Sequence, residues 1–516
     1  MKTLKIISLI IPLSLLVLIA LFSFVKKDTE KNDKIKVDAP ESFISWWGNQ
    51  LRQRVVGGEN ATYQQPSAKP NIIFLLTDDQ RWDALGAMGN TIIKTPNMNK
   101  LASAGILFQN AYVTTSICCV SRASLLTGQY ESRHHIHDFS TDLSPEAIAK
   151  SYPVLLKNAG YNLGFAGKFG VGKNLPDSIY DFWVDTEAGG KGQPDYIITG
   201  KDGSKIHDTD TLGNAIQTFL DEFGNGNKPF CLSVSFKAPH EQDGHPPKYI
   251  IQPKYKDYYN DVTIPYPVTA APKYWDQLPD FFRTETNFGR SRWEGLFGTQ
   301  ELYQENVKNY YRLITGVDDV VGNMMKKLAQ LGVAKNTIII FMGDNGMFLG
   351  EHGMEGKWYG YEESIRVPLF IYDPNLPDKI KQYRASQIAL NIDIAPTILA
   401  MAGVPVPNGM QGVDLIRLLE NKIPERKDFF YQHYFLGGPR IPRVEGVVTK
   451  DFKYMNWIEQ NYEEVYDVIH DPHETANLAA NSKYKMKVDE LRKRYKELKK
   501  LHGVPEAIWN KAKTKF

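Results

Sequence analysis

The chain has 516 residues, 42% of them hydrophobic and 23% charged, so it can bury a large core and does not have the composition of a disordered protein. Lys and Arg together number 61 and Asp and Glu 59, which argues against both a nucleic-acid-binding surface and an acidic tail. Three cysteines, two of them adjacent, exclude a framework of disulfide bonds.

The N-terminus predicts export. Lys2 and Lys5 precede an uncharged run at residues 6–25, which reaches the roughly 20 residues that a membrane-spanning helix needs. No clear cleavage site follows, so residues 1–25 are either a signal peptide or a retained membrane anchor. Residues 26–69 follow as a polar tether. We therefore expect an exported protein of the periplasm or cell envelope, anchored in the membrane if the segment stays uncleaved.

From residue 70 onward, short apolar runs alternate with amphipathic segments. Strands are predicted at residues 71–77, 162–166, 230–236 and 337–342, and helices at residues 96–105, 153–160, 212–223 and 304–331. Runs that are apolar throughout indicate burial on both faces, which is typical of a parallel sheet covered by helices. The pattern predicts an α/β fold with a large mixed, mainly parallel sheet between helices.

Two later regions lack this alternation of apolar runs and amphipathic segments. Residues 245–298 are rich in proline and aromatic residues and predict long ordered loops that shape a pocket. Trp275, Phe281, Phe282 and Trp293 either stack on a ligand such as a sugar ring or form a hydrophobic cluster under the loops. After residue 422, four short strand-like segments and a helix at residues 482–501 predict a smaller α+β subdomain over residues 423–516.

Acidic and amide side chains follow two of the predicted strands. Asp78 and Asp79 come directly after the first strand, and Asp344 and Asn345 follow the strand at residues 337–342. Turn and cap chemistry explains each of these alone, but ligand sites of open α/β sheets lie at the carboxyl ends of strands. An oxygen-only ligand set suits Ca²⁺ or Mg²⁺ better than zinc.

The adjacent cysteines open a predicted helix. Cys118 and Arg122 are four residues apart, so they share a face, and the helix N-terminus adds positive potential. This arrangement favours the binding of an anion. Small residues that merely open a helix would not explain an arginine directed to the same place as the thiol.

The stretch C-C-V-S-R-A-S-L-L-T-G resembles the signature C-x-P-S-R-x-x-x-x-T-G of type I sulfatases, which belong to the alkaline phosphatase-like superfamily. The resemblance implies that Cys118, and not Cys119, is oxidised by a maturation enzyme to formylglycine (3-oxoalanine), whose hydrate attacks sulfur. Val120 stands where the family has proline or alanine. The resemblance extends over residues 70–478 and implies a catalytic domain at residues 70–422 with the alkaline phosphatase-like fold.

The same resemblance orders the other residues by role. It implies one calcium ion held by Asp78, Asp79, Asp344, Asn345 and the modified side chain at position 118. It also implies that Lys168, His240 and Lys357 bind sulfate or transfer protons, and that Arg122 and the calcium ion hold the aldehyde hydrate poised as the nucleophile. Many sulfatases carry a histidine where this chain has Gly170. His135, His137 and His352 are the candidates to replace it or to bind substrate, and ordinary packing is the equal alternative for the histidine cluster.

The implied function is hydrolysis of a sulfate ester in a polysaccharide or its oligosaccharides. The double cysteine resembles glucosamine-6-sulfatases, and residues 350–368 resemble exported bacterial polysaccharide sulfatases. Algal polymers such as ulvan or carrageenan, glycosaminoglycans and mucins are the expected substrates. Two alternatives stay open: a phosphonate or phosphate ester hydrolase of the same superfamily, and an unmodified carbohydrate-binding protein without catalytic activity.

Overall fold

The computed structural model describes residues 69–187, 193–200 and 202–506. The predicted export segment, residues 1–25, and the predicted tether, except for Lys69, lie outside the described residues. Among the described residues, no helix is both long enough and apolar enough to cross a bilayer.

Two large sheets and a set of helices make up the described chain. In chain order the strands are β1 Asn71–Asp78, β2 Ile106–Tyr112, β3 Asn162–Gly167, β4 Phe182–Asp185, β5 Ile197–Thr199, β6 Lys205–His207, β7 Phe230–Pro239, β8 Thr337–Gly343, β9 Phe348–Leu349, β10 Glu355–Gly356, β11 Leu369–Tyr372, β12 Tyr383–Leu390, β13 Asp428–His433, β14 Val444–Thr449, β15 Phe452–Trp457 and β16 Tyr462–Asp467. The α-helices are α1 Pro96–Ala104, α2 Cys118–Thr127, α3 Glu131–His134, α4 Pro145–Ala149, α5 Tyr152–Asn158, α6 Asp208–Phe223, α7 Pro272–Asp276, α8 Phe288–Leu296, α9 Gln300–Gln330, α10 Glu362–Ile365, α11 Ile394–Met401, α12 Leu415–Leu419 and α13 Lys485–His502.

The main sheet has eight strands in the order β12-β2-β11-β8-β1-β7-β3-β4. Every pairing in it is parallel except those of β11, which runs antiparallel to β2 and to β8. The predicted α/β fold with a mixed, mainly parallel sheet is therefore confirmed.

Helices cover both faces of this sheet. Side chains of β1 alternate between two cores, because successive residues of a strand point to opposite faces. Ile72 and Phe74 join the core that includes residues of α2, α5 and α11. Ile73 and Leu75 join the core that includes residues of α1, α6 and α9. Burial on both faces explains why these strands are apolar throughout.

The register of three central strands brings polar residues to one edge. β1 pairs in register with β8, from Asn71 opposite Thr337 to Thr77 opposite Gly343. β1 also pairs with β7, and a shift after Thr77 places Asp78 opposite Pro239. The segments that follow β1, β7 and β8 therefore leave the sheet side by side, at its carboxyl edge.

Most predicted elements are found, with shifted ends. α6 begins at Asp208 and not at residue 212, because the His207 ring accepts the N–H of Thr209 and caps the helix. α9 begins at Gln300, where the Thr299 side chain caps it. The region at residues 245–298 is not all loop. It contains α7 and α8, and the side chain of Asn287 accepts the N–H of Arg290 at the start of α8.

The smaller sheet lies towards the C-terminus. β13 to β16 pair consecutively and antiparallel, and α13 packs against them through Val488, Leu491, Tyr495 and Leu498. This confirms a smaller C-terminal part with an antiparallel sheet and a terminal helix. The division at residue 423 stays a prediction.

Candidate functional site

Three strand ends form the floor of the site. The backbone N–H of Asp79 donates to Asp344 Oδ1 at 3.1 Å, and the Asn345 amide donates to Asp79 Oδ1. His240, which follows β7, places Nε2 3.4 Å from Asp79 Oδ2. Asp79 adopts a left-handed φ of 62°, which turns the chain sharply at the end of β1. The structure thus brings together the predicted ligands from β1 and β8 with His240.

The two cysteines at the start of α2 have different surroundings. The Cys118 thiol lies 3.2 Å from Asp78 Oδ1 and 3.2 Å from Lys357 Nζ. Cys119 is fully buried in the hydrophobic core beneath the helix. Only the first cysteine faces the polar cluster, since neighbouring residues of a helix point in different directions.

Arg122 lies one turn further along α2 and is tightly fixed. Its Nε donates to Asp344 Oδ2 at 2.8 Å, and its Nη1 donates to the carbonyl oxygen of Lys168 at 2.7 Å. Its Nη2 is buried and has no hydrogen-bond partner among the described residues, although Asp78 Oδ2 lies 3.5 Å away. A fixed guanidinium with a spare donor can bind an anion.

Two buried lysines complete the cluster. Lys168, which follows β3, forms an ion pair with Asp78, and Lys357, which follows β10, forms one with Asp79. Both side chains are nearly inaccessible to solvent. Buried charges of this kind are stable only when they are paired or bind ions.

The pKa values follow from burial and from these pairs. Burial opposes ionisation of Asp78, but Lys168, His240 and Arg122 outweigh it and hold the pKa of Asp78 well below its usual value. Burial and the nearby Asp78 raise the pKa of Asp344 to about 7. Burial, followed by the charge of Asp78, raises the pKa of the Cys118 thiol well above its usual value. An unmodified Cys118 is therefore a neutral thiol and a poor nucleophile.

The donor set fits a hard cation. Asp79 Oδ2 and Asn345 Oδ1 are buried and accept no hydrogen bond from the described residues. Ligand atoms of Asp78, Asp79, Cys118 and His240 lie within 4.8 Å of one another. Asp344 is not part of that group, and its carboxylate accepts from Arg122 and from the N–H of Asp79. Buried carboxylate and amide oxygens without donors are the kind of ligand that Ca²⁺ and Mg²⁺ prefer.

His240 is held by its backbone neighbour. Its Nδ1 lies 2.6 Å from the carbonyl oxygen of Glu241, which fixes Nδ1 as the protonated nitrogen in the neutral ring. Its Nε2 lies 3.0 Å from the amide nitrogen of Gln193. Burial, and then the charge of Lys357, lowers the pKa of His240 well below its usual value.

A cavity of about 410 Å³ opens onto Cys118, Lys168, His240 and Lys357. His135, His137 and His352 are not among the residues that line it. His137 binds Glu131 at 2.7 Å instead, and the ring of His352 packs 4.9 Å from that of Tyr361. The three histidines that could replace the one missing at Gly170 therefore do not face the cavity that contains Cys118.

Gly170 itself leaves no room for a histidine. Its φ is +71°, and a Cβ atom at this position would lie 2.7 Å from Cδ of Arg122. Glu187 occupies the neighbourhood instead, and its Oε2 accepts the N–H groups of Phe169 at 2.6 Å and of Gly170 at 3.0 Å. At position 170, where many sulfatases have a histidine, the side chain of Arg122 therefore packs closely against the glycine backbone.

The aromatic residues singled out in the loops do not line the cavity. Phe282 is fully buried against Tyr359 and Trp457, and Arg290 packs between the rings of Trp275 and Trp293. These four aromatic residues therefore pack under the loops, the second of the two alternatives, and do not stack on a ligand in this cavity. The cavity is instead lined by other aromatic residues, Phe139, Phe288, Trp358 and Phe435, which have no distinctive sequence pattern.

Glu187, Glu241 and Arg292 also line the cavity and were not predicted. Glu241 directly follows His240, and this position was the one feature of the sequence that could have indicated its place in the site. Glu187 and Arg292 lie far along the chain from the signature at Cys118, so only the folded chain reveals them.

Comparison with known proteins gives two family matches. A family model described as "Sulfatase" matches residues 70–404, and one described as "N-sulphoglucosamine sulphohydrolase, C-terminal" matches residues 350–501. The chain is 29% identical over 501 residues to an N-acetylglucosamine-6-O-sulfatase of Bacteroides thetaiotaomicron, covering 85% of this chain and 87% of that protein. It is 28% identical over 451 residues to an ulvan-active sulfatase of Formosa agariphila, covering 83% and 80%.

Solved structures agree with these matches. One, of a protein in complex with its substrate D-glucosamine-2-N,6-O-disulfate, has a TM-score of 0.73 and 27% identity, covering 84% of this chain and 98% of that one. A phosphonate monoester hydrolase of Agrobacterium radiobacter has a TM-score of 0.68 and 21% identity, covering 84% and 96%. At that lower identity the second likeness concerns the fold alone.

Proposed function

The chain belongs to the sulfatase family, whose members hydrolyse sulfate esters, and from this premise we propose that it removes sulfate from a sulfated polysaccharide or its oligosaccharides after Cys118 is converted to formylglycine. The observation that carries the proposal is the position of Cys118. Its side chain meets Asp78 and Lys357 at the bottom of the cavity, one helical turn from Arg122.

The state of the thiol supports the conversion. Because burial raises the pKa of Cys118, the cysteine has little nucleophilic character of its own. Formylglycine would supply a hydrated aldehyde as the nucleophile toward sulfur. A formylglycine-generating maturation enzyme is then a required partner, and it must accept Val120 within the motif.

The residues around Cys118 suit a bound sulfate group. A Ca²⁺ ion would polarise the sulfate oxygens, with Asp78, Asp79 and Asn345 as its nearest oxygen ligands and Asp344 beside them. Arg122, Lys168 and Lys357 place three cations around the same point and offset the charge of the sulfate as it redistributes. Arg122 Nη2, which lacks a hydrogen-bond partner among the described residues, would serve to hold the aldehyde hydrate at position 118.

A proton must reach the departing sugar oxygen. His240 and Lys357 are the two candidates, since both line the cavity next to Cys118. His240 uses Nδ1–H to bind the carbonyl oxygen of Glu241, so Nε2, which faces Asp79, must take up a proton before His240 can act as the acid. Lys357 already carries a proton, because the burial of its side chain is outweighed by Asp79, which raises its pKa.

The substrate class and the location follow from the relatives and the sequence. Relatives named for N-acetylglucosamine 6-sulfate and for ulvan support a sulfated carbohydrate, either a glycosaminoglycan or mucin sugar or an algal polymer such as ulvan or carrageenan. The apolar run at residues 6–25 supports export to the periplasm or cell envelope, with membrane attachment if it stays uncleaved.

Mass spectrometry and sulfate release test the proposal together. The peptide that carries Cys118 is expected to show conversion of the thiol to the aldehyde when the protein is produced with a maturation enzyme. Sulfate release is then measured on ulvan, carrageenan, glycosaminoglycan and mucin fragments, with phosphonate monoesters alongside and Cys118→Ala as the blank. An unmodified thiol in the native host, or turnover of phosphonate monoesters only, contradicts the proposal.

A further inference from the structure

One part of the cavity lining carries carboxylates. Glu241, Asp243 and Glu355 line the cavity around Arg292, and these four residues are called the acidic rim below. Three carboxylates against one arginine give the acidic rim an excess of formal negative charge, whereas carboxylates and cations are equal in number around Cys118.

Arg292 fixes the geometry of the rim. Its Nε donates to Glu355 Oε2 at 2.6 Å, and its Nη2 donates to Glu241 Oε1. Its Nη1 lies 3.8 Å from Asp243 Oδ1. The contacts join α8, β10 and the segment after β7, so three separate elements hold these carboxylates in place. Such charge-assisted pairs are directional and orient both partners.

One carboxylate oxygen of the acidic rim remains without a donor. Glu241 is 1% exposed, and its Oε2 has no hydrogen-bond partner among the described residues. Leaving a buried acceptor unpaired costs free energy, which a ligand bearing donors would recover.

Aromatic rings line the same cavity. Phe139 is 40% exposed and meets Phe435 edge to face, with ring centroids 5.6 Å apart. Phe288 and Trp358 form a second pair with centroids 6.3 Å apart. Apolar walls with a few placed polar groups are the usual form of a small-molecule site. The unpaired polar atom of the acidic rim is an acceptor, so the part of the ligand that meets it is expected to carry hydroxyl or ammonium donors.

We propose that the acidic rim is a sugar-binding subsite in which Glu241 accepts a hydroxyl or amino group of the sulfated sugar, and that the excess of carboxylates in the rim disfavours a second sulfate on the same ring. This inference rests on the proposed function. It narrows the substrate to a monosulfated sugar ring, because specificity arises from repulsion of the wrong group as well as attraction of the right one.

The test compares sugar sulfates with an aryl sulfate. Wild type and Glu241→Gln are assayed on p-nitrophenyl sulfate, which has no hydroxyl groups, and on mono- and disulfated forms of each sugar in a panel. Glu146→Gln, a surface substitution with a side chain 78% exposed, is the matched control. Glu241→Gln is expected to lose about tenfold in kcat/KM on the best monosulfated sugar, mainly through KM, or about 1.4 kcal/mol. Its kcat/KM on p-nitrophenyl sulfate should stay within about threefold of wild type, or about 0.7 kcal/mol.

The outcomes separate this inference from the proposed function. Equal losses on both kinds of substrate mean a structural role and overturn the inference. So does a wild type that hydrolyses the aryl sulfate but no sugar, or that treats mono- and disulfated sugars alike. A wild type with confirmed formylglycine that hydrolyses neither kind of substrate defeats the proposed function instead. Calorimetric binding of the monosulfated sugars to Cys118→Ala protein, with and without Glu241→Gln, then decides the inference alone, and absence of binding overturns it.

Discussion

Introducing the family's histidine at position 170 should lower activity instead of raising it. The substitution Gly170→His supplies the imidazole that many sulfatases have there, so sequence comparison alone predicts a gain. The structure predicts a loss, because Gly170 has a φ of +71° and a Cβ atom would approach Cδ of Arg122 to 2.7 Å. Arg122 cannot yield freely, since Asp344 and the carbonyl oxygen of Lys168 hold its guanidinium at 2.8 and 2.7 Å.

Two costs add up in this variant. A left-handed backbone at a residue other than glycine costs about 1–2 kcal/mol of stability. Displacing Arg122 weakens at least one hydrogen bond between charged groups, which is worth about 1.5–3 kcal/mol. If that loss is felt in the transition state, kcat/KM falls by roughly tenfold to a hundredfold, at about 1.4 kcal/mol for each factor of ten.

Denaturant unfolding and steady-state kinetics on an aryl sulfate measure the two costs separately. Gly170→Ala is the matched control, because it introduces the same Cβ atom and backbone strain without the imidazole. We expect both variants to lose stability and activity to a similar degree. A Gly170→His protein that is more active than wild type, or far more active than Gly170→Ala, would refute the reasoning and show that Arg122 gives way to a working histidine.

Three further predictions concern the nucleophile, the metal and the C-terminal sheet. Cys118→Ala should abolish sulfate release while Cys119→Ala, which alters only the hydrophobic core, keeps most of it and lowers Tm; equal losses would mean that the nucleophile is misplaced. Treatment with EGTA should remove activity that Ca²⁺ restores, whereas an insensitive enzyme with tightly held zinc would contradict the calcium site. Burial raises the pKa of Glu464 from 4.5 to about 7, so the folded state binds this proton more tightly than the unfolded state. The resulting stabilisation of the fold is fully present below about pH 4.5 and is lost as pH rises through 7. Glu464→Gln should therefore gain about 3 kcal/mol in free energy of unfolding relative to wild type between pH 4.5 and pH 8, measured by denaturant unfolding, and no pH-dependent difference would refute it.

The sequence predicted the central strands and the floor of the site because both depend on local pattern. β1 and β8 are apolar throughout, and each ends in a polar pair, so parallel pairing alone brings Asp79 and Asn345 together. β2, β11 and β12 were not predicted. β11 has only four residues and runs antiparallel to its neighbours. No local sequence pattern predicts that direction.

The acidic rim depends on contacts between distant segments. Arg292 comes from a region that predicted loops, and it meets Glu241 and Glu355 only because α8 packs beside β10. His352 shows the opposite error. It lies five residues before Lys357 in the chain, yet its φ of 53° and its contact with Tyr361 place it away from the cavity. Spacing along the chain therefore brought together residues that directly follow strands, such as Asp79 and Asn345, but misplaced His352, which lies in a turn.

Charge balance explains why the inner cluster can be buried and still bind an anion. Asp78, Asp79 and Asp344 face Arg122, Lys168 and Lys357, so the buried carboxylates and cations are equal in number. When all six groups are ionised, such a set is tolerated in the interior but offers no net attraction to sulfate. A divalent cation at the unpartnered oxygens of Asp79 and Asn345 would leave two positive charges in excess, which matches the charge of the sulfate ion released. The lysines that now pair with Asp78 and Asp79 would then be available to the substrate. Cation binding should therefore precede tight sulfate binding, and inorganic sulfate should inhibit the calcium-loaded protein far better than it binds to EGTA-treated protein.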